Sequence, residues 1–310
     1  MMRKILKPLL ATFSFLLVFI LLADPLLAQD TKPLSPKEIA TVFAYDPTTP
    51  LDINDVGKET RGDVIIRDIT FSSPGTEQPI SAYLIAPAAS GTDYAGVLYV
   101  HWYEPKAKTS NRTQFVDEAV KMAEKGTVSL LVSTMWSDPK WFNVRKQDGD
   151  YQDAVNQVIA LRRGLDVLLA QPGVNPKRIA YVGHDFGAMY GSVMAGAENR
   201  VQSYVLIAGT PRFYDWFVFN NALAGDELTA YQAKIGSIDP IQMIKTVKDA
   251  GFFFQFGEVD GYVPRETAVE FYMAAPDPKR IATYTSDHDM EHDIIQTDRM
   301  AWLTERLNLK

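Results

Sequence analysis

The chain of 310 residues has no cysteine. Neither a disulfide nor a lipid attached through cysteine is therefore available to it. Histidine is scarce, with four residues: His101, His184, His288 and His292. Positive charge is in the minority, with 31 Lys and Arg against 38 Asp and Glu and a net charge of −7. An acidic chain with no basic run offers no electrostatic footprint for nucleic acid. Internal repeats and low-complexity tracts are missing too. The apolar run at the N-terminus, Leu9 to Ala23, is 15 residues long, short for a bilayer span.

That run follows Arg3, Lys4 and Lys7 and precedes Asp24-Pro25 and Leu26-Leu27-Ala28. A basic start, an apolar middle and a small-residue end are the layout of a secretory signal peptide over residues 1–28. The alternative is an uncleaved segment that touches the membrane. Cleavage after Ala28 would remove three positive charges and one negative, leaving about −9. An exported protein without disulfides suits a bacterial periplasm or exterior.

The remainder is rich in apolar residues, 46% of the whole chain against 22% charged, which suits one large α/β domain. Residues 29–60, rich in Pro, Thr and Asp, read as an N-terminal arm laid over a domain spanning 61–310. Val64 to Phe71 and Ile80 to Ala86 read as strands of an antiparallel hairpin, with turn residues between them. Ala95 to Val100, Val128 to Val132, Ile179 to Val182 and Val201 to Ala208 read as buried strands, and Gly251 to Phe256 and Ile281 to Tyr284 as two further strands. Helical periods fall between them, at Phe115 to Ala123, Asp150 to Ala170, Ala188 to Gly196, after Asp239-Pro240, after Val263-Pro264, and from Ile295 to Leu307. Residues 210–238, crowded with aromatics, read as a short lid; a plain surface excursion is the alternative. Alternating strands and helices predict a mostly parallel mixed sheet with helices on both faces. Sites in such sheets lie at the carboxyl ends of strands.

At the end of one predicted strand stands Gly183-His184-Asp185-Phe186-Gly187. Its spacing is that of a nucleophile elbow, a strained strand-to-helix turn that exposes its middle residue. Here that residue is Asp185. The plain alternative is a tight turn whose aspartate caps the helix. The N–H of Phe186, with that of Trp102 or Tyr103 after another strand, could hold an oxyanion. Asp185, Asp260 and His288 occur in the order nucleophile, acid, histidine, the order of α/β-hydrolases. Asp260 could instead cap the next helix. His288 lies in the loop after the last predicted strand, and His292 at the start of the final helix. Their spacing of four also matches a metal-ligand pair, but no third ligand is evident and Glu291 is misplaced for a zinc-protease pattern. No metal and no cofactor is expected. The expected partner is a small-molecule substrate.

At these residues the chain resembles the α/β-hydrolase superfamily, from about Val64 to Leu307. The leading hairpin, Gln171 to Ile179 and Asp260-Gly-Tyr-Val-Pro264 are similar to the dienelactone hydrolase, acetyl-xylan esterase and prolyl-oligopeptidase-like group, whose elbow normally carries Ser or Cys. The elbow itself resembles that of epoxide hydrolases and haloalkane or haloacetate dehalogenases, which use aspartate. That resemblance implies an alkyl-enzyme ester on Asp185, hydrolysed by water that His288 activates and Asp260 helps to orient. It also implies candidate pocket residues: His101, Trp136, His184, Tyr214 and Trp216. Tyr214 and Tyr231 could hold an epoxide oxygen, and Trp102 and Trp136 a halide; buried packing is the plain alternative for both tryptophans. His101 is expected to order the oxyanion loop. The reading is thus an exported hydrolase for a small, fairly apolar ester, epoxide or alkyl halide. Asp185 acting as a base, and an inactive hydrolase-fold protein that binds a ligand or partner, are the readings kept beside it.

Overall fold

The computed structural model describes residues 33–218 and 223–310. The predicted signal segment, residues 1–28, and residues 219–222 of the predicted lid lie outside the described residues. Among the described residues one sheet of nine strands runs through the domain, in the order β1-β2-β3-β5-β4-β6-β7-β8-β9. The strands are β1 (Asn54–Arg61), β2 (Val64–Phe71), β3 (Ile80–Pro87), β4 (Tyr94–Val100), β5 (Thr127–Val132), β6 (Val174–His184), β7 (Ser203–Ile207), β8 (Gly251–Gly257) and β9 (Lys279–Tyr284). Strand β1 is antiparallel to β2, β2 to β3 and β3 to β5; in the rest of the sheet, from β5 through β4 and β6 to β9, every neighbouring pair is parallel.

The helices are α1 (Pro36–Val42), α2 (Val116–Ala123), α3 (Trp141–Val144), α4 (Asp150–Leu169), α5 (Phe186–Ala197), α6 (Tyr214–Phe217), α7 (Gly225–Gly236), α8 (Pro240–Ile244), α9 (Arg265–Ala274) and α10 (Asp293–Arg306). Two apolar clusters pack on the sheet. One takes in Ile39 of α1, Val158 and Leu165 of α4, Val193 of α5 and Phe271 of α9. The other takes in Ala119 and Met122 of α2 with Ile295 and Leu303 of α10. Strand alternation feeds both: Phe252 and Phe254 of β8 go to the first cluster and Phe253 to the second. This is why the central strands are continuous apolar runs rather than alternating ones.

The predicted arm is partly sheet. Asn54–Arg61 forms edge strand β1, antiparallel to β2. All eight of its residues are exposed, so no apolar alternation marks it in the sequence. Upstream, α1 begins with a capping box between Ser35 and Glu38. Phe43 is fully buried in the core. Arg162 and Arg163 of α4 donate to the carbonyls of Phe43, Thr49 and Pro50 at 2.6–3.1 Å. The arm is thereby strapped to α4 through its backbone.

Because β4, β6, β7, β8 and β9 run the same way, the loops after them gather at one edge. Residues 101–103, 185, 260 and 288 all fall there, although they are spread over more than half the chain.

Candidate active site

Strand β6 delivers its last residue, His184, into the turn, and α5 begins at Phe186. Asp185 between them has φ 54° and ψ −116°, a region that L-residues rarely occupy. The turn is this sharp because two glycines let backbones touch. A Cβ on Gly183 would lie 2.3 Å from the carbonyl oxygen of Gly187, and one on Gly187 would lie 2.3 Å from that of Val100. The Asp185 N–H donates to the carbonyl of Ile207 at 2.8 Å, and the Asp185 carbonyl accepts from Ala188 and Met189 at 2.9 and 3.0 Å. The strain is thus over-determined by its surroundings.

The two carboxylate oxygens of Asp185 have different neighbours. Oδ2 accepts the Tyr103 N–H at 3.1 Å. Oδ1 lies 3.6 Å from His288 Nε2, beyond hydrogen-bond length, and neither atom has a hydrogen-bond partner. The other ring nitrogen of His288, Nδ1, is 2.8 Å from Asp260 Oδ2. Asp260 Oδ1 accepts the N–H groups of Tyr262 and Val263 at 2.8 and 3.1 Å. The two readings of Asp260 therefore coexist: one oxygen holds the turn before α9 and the other holds the imidazole.

Burial alone would lower the pKa of His288, but the nearby Asp185 carboxyl and the hydrogen-bonded Asp260 outweigh it and raise the value to about 10. At 3.6 Å the pull of Asp185 is chiefly through charge. The imidazole thus stands between two carboxyl groups that both favour its protonated form. The folded-state pKa lies above the ordinary His value near 6.5, so the stabilisation is fully present below about pH 6.5 and is lost as pH rises through about 10. Urea unfolding midpoints should accordingly fall between those two pH values, and His288→Gln should flatten that slope. An equal slope in the variant would show that His288 is not the group responsible.

The remaining candidate residues divide. Phe186 stands at the first helical position, where an N–H has no intrahelical acceptor, so its N–H remains a candidate oxyanion donor beside that of Tyr103. The Trp102 N–H does not: it donates to Gln114 Oε1 at 2.9 Å. His101 is buried, with Nδ1 2.7 Å from the Trp102 carbonyl and Nε2 within 3.0 Å of the Ser137 and Thr134 hydroxyls. Burial lowers its pKa to about 4. It is a neutral brace for the 101–103 loop. Trp136 is fully buried and donates Nε1–H to the His101 carbonyl at 3.0 Å. That occupies the N–H a halide would need. The Tyr231 hydroxyl donates to Asp150 Oδ2 at 2.6 Å, so it is committed away from the elbow. Tyr214 makes none of the ring contacts with Phe186 or His288 that Trp216 makes. His184 is buried, with both ring nitrogens engaged by Gln114 and the His288 backbone, and it lines a cavity together with Gln114, Glu118, Met290 and Arg299.

Trp216, on α6, does reach the site. Its ring centroid is 5.7 Å from that of Phe186, 6.2 Å from His288 and 5.4 Å from Tyr262. Its indole N–H is buried without a partner. Tyr262 in turn packs edge-on against His288 at 5.1 Å. Under this roof Asp185 is only 1% exposed and His288 8%. Gln114 and Tyr262 were not among the residues the sequence suggested. Each is a single side chain in an aperiodic loop, so no spacing signal marked either.

A mixed sheet with this order, helices on both faces and a strained turn after its central parallel strand define an α/β-hydrolase fold. Solved structures agree. The chain is similar to an acetyl xylan esterase from Thermoanaerobacterium sp., with TM-score 0.72 and 15% identity over 88% of this chain and 94% of that one. An acetyl xylan esterase from Paenibacillus sp. gives TM-score 0.69 and 16% identity over 90% and 98%. An acylaminoacyl peptidase from Pyrococcus horikoshii gives TM-score 0.61 and 17% identity over 78% of this chain and 41% of that one. No protein-family model and no curated protein matches the sequence.

Proposed function

We propose that the protein is a hydrolase that cleaves a small, fairly apolar substrate through a covalent ester on Asp185, with His288 as base and Asp260 as its orienting acid. The observation that carries this reading is the division of labour between the oxygens of Asp185. An ester of Asp185 needs one oxygen free to attack carbon and the other held by donors, because the held one becomes the oxyanion when water attacks. Oδ1 is unpartnered and faces His288, and Oδ2 rests on the Tyr103 N–H.

The steps balance as follows. Oδ1 attacks an sp³ carbon; a carbon–oxygen bond forms and the bond to the leaving group breaks. With an epoxide, the departing alkoxide takes the Nε2 proton of the imidazolium; a halide leaves without one, and the imidazolium gives its proton to solvent. Esterification removes the negative charge of Asp185, one of the two charges that hold the proton on His288. The ring can then act as base. Water adds to Cγ and gives one proton to Nε2; the bond from Cγ to the alkyl oxygen breaks, the leaving alkoxide takes that proton, and the acid proton left on Asp185 passes to the ring, restoring the carboxylate. The N–H groups of Tyr103 and Phe186 would hold the oxyanion, and one such donor is typically worth about 10²–10³ in rate. Attack on an acyl carbon would yield a labile anhydride, so the esters this site suits are those cleaved at the alkyl carbon. The esterase descriptions of similar structures favour an ester; the elbow residue favours epoxides and halides.

The burial of Asp185 favours a second reading, a hydrolase fold that holds a ligand without turning it over. A panel of styrene oxide, 1-chlorobutane, chloroacetate and p-nitrophenyl acetate, offered to the purified protein, separates the two. The hydrolytic reading expects turnover of at least one alkyl compound. No turnover of any, together with ligand-induced thermal stabilisation, would favour binding. Trp216→Ala removes the roof over Oδ1 and Nε2. It is expected to raise kcat/KM for the bulkier styrene oxide above that for 1-chlorobutane, as paired assays would show. Export to a periplasm or the exterior is part of the proposal, on the strength of residues 1–28 alone.

A further inference from the structure

The loops that carry Tyr103, Asp185 and His288 leave three different strands. One side chain at the far end of the first of these loops ties them together. Gln114 Oε1 accepts the Trp102 N–H at 2.9 Å. Gln114 Nε2 lies 2.6 Å from His184 Nδ1. His184 Nε2 lies 2.8 Å from the carbonyl oxygen of His288. A carbonyl only accepts, so Nε2 of His184 carries the proton and Nδ1 receives one from the Gln114 amide. All three bonds then run in one sense, from the Trp102 N–H to the His288 carbonyl. His184 is also stacked on the Trp102 indole, with centroids 5.1 Å apart and planes 6° from parallel.

We propose that Gln114 and His184 are positioning residues, a one-way hydrogen-bond relay that sets the Tyr103 N–H and the His288 ring against Asp185. The Trp102–Tyr103 peptide is where the relay meets the site. Its carbonyl is held by His101 Nδ1 and the Ser110 hydroxyl, at 2.7 and 3.2 Å. Its N–H points at Asp185. Fixing the preceding N–H through Gln114 removes the remaining freedom of this segment. At the other end, the His288 carbonyl anchors the backbone from which the imidazole projects.

The relay requires a carboxamide at position 114, because the side chain must accept from one N–H and donate to a ring nitrogen at once. A carboxylate there only accepts. It would require a proton on His184 Nδ1 as well as on Nε2. Burial opposes an imidazolium at this position, and the nearby charges of His288 and Arg299 act in the same direction. The neutrality of His184 leaves His288 as the proton carrier of the cluster.

The role in catalysis rests on the hydrolytic reading above, but the relay itself can be tested without it. The full chain is labelled with ¹⁵N-histidine; four histidines keep the spectrum assignable. In the wild type, His184 should show a protonated Nε2 and a pyridine-type Nδ1 at neutral pH. In Gln114→Leu, the Nδ1 signal should shift, and the Nδ1 proton of His288, bonded to Asp260, should broaden or move. Gln114→Glu, nearly isosteric, should place a proton on Nδ1 of His184. It supplies the decision if the leucine variant does not fold. Where a panel compound is turned over, Gln114→Leu should lose about 10²-fold in kcat with KM near the wild-type value, the cost of a displacement of about 1 Å at reacting groups. Unchanged His184 and His288 signals in the folded variants would overturn the relay. Changed signals without turnover by the wild type would overturn the hydrolytic reading and leave the relay standing.

Discussion

Asp185→Asn is expected to abolish turnover, by on the order of 10⁴-fold or more, while leaving the fold unchanged. The amide has the shape of the carboxylate, so the strained turn and the bond from the Tyr103 N–H can persist. What it lacks is the negative oxygen that attacks carbon. His288→Gln is the complementary variant. It keeps the nucleophile but removes the base, so the first step can proceed and the second cannot. Incubated with an alkyl substrate, this variant should gain the mass of the alkyl group. Digestion should locate the adduct on the peptide containing Asp185. Turnover by Asp185→Asn near the wild-type rate would end the covalent mechanism. An inactive Asp185→Asn paired with an unmodified His288→Gln would point to Asp185 as a base instead.

Glu118→Ala should cost about 3–5 kcal/mol of stability, read as a lower urea midpoint at unchanged slope. Glu118 of α2 and Arg299 of α10 form a pair on one face of the sheet, and both are nearly inaccessible. Three bonds of 2.6–3.1 Å join the guanidinium to the carboxylate, and a fourth, 3.1 Å long, joins it to Gln255 Oε1 of β8. Removing the carboxylate leaves a buried cation with a single neutral partner, far costlier than losing an exposed pair. The position matters to the site. Helix α2 follows the loop that holds Tyr103, and α10 follows the loop that holds His288. The pair braces the frame on which both loops stand. A loss below about 1 kcal/mol would show that Arg299 finds water when its partner is gone.

The site has a consistent electrostatic logic. Of the three buried histidines, two are kept neutral by burial, which outweighs the hydrogen bonds to backbone carbonyls that act the other way. Only His288 has carboxylates on both sides, and only its pKa is raised. Environment, not residue type, decides which imidazole carries charge.

The central strands β4 to β8 were legible because each holds an apolar run, the mark of burial on both faces, and β2 and β3 because they alternate as a hairpin around turn residues. Strand β1 was not, because an edge strand with both faces wet has no apolar pattern to show. The elbow was legible because two backbone approaches exclude any Cβ at residues 183 and 187, and glycine at fixed spacing is the imprint of such contacts. The assignment of N–H groups was not. Spacing offered Trp102 and Tyr103 equally as donors, and Gln114 takes the first away. The indole of Trp136 and the hydroxyl of Tyr231 were likewise free to serve a substrate in the sequence. In the fold, the His101 carbonyl and Asp150 engage them.

The chain by itself therefore determined the layered α/β order and which residues reach the carboxyl edge of the sheet, because both follow from local apolar period and from glycine spacing. Only the tertiary structure decided which donor meets which acceptor there, and that Trp216 covers the pair of Asp185 and His288. Those contacts join residues from separate loops, and no local pattern encodes a distance between loops.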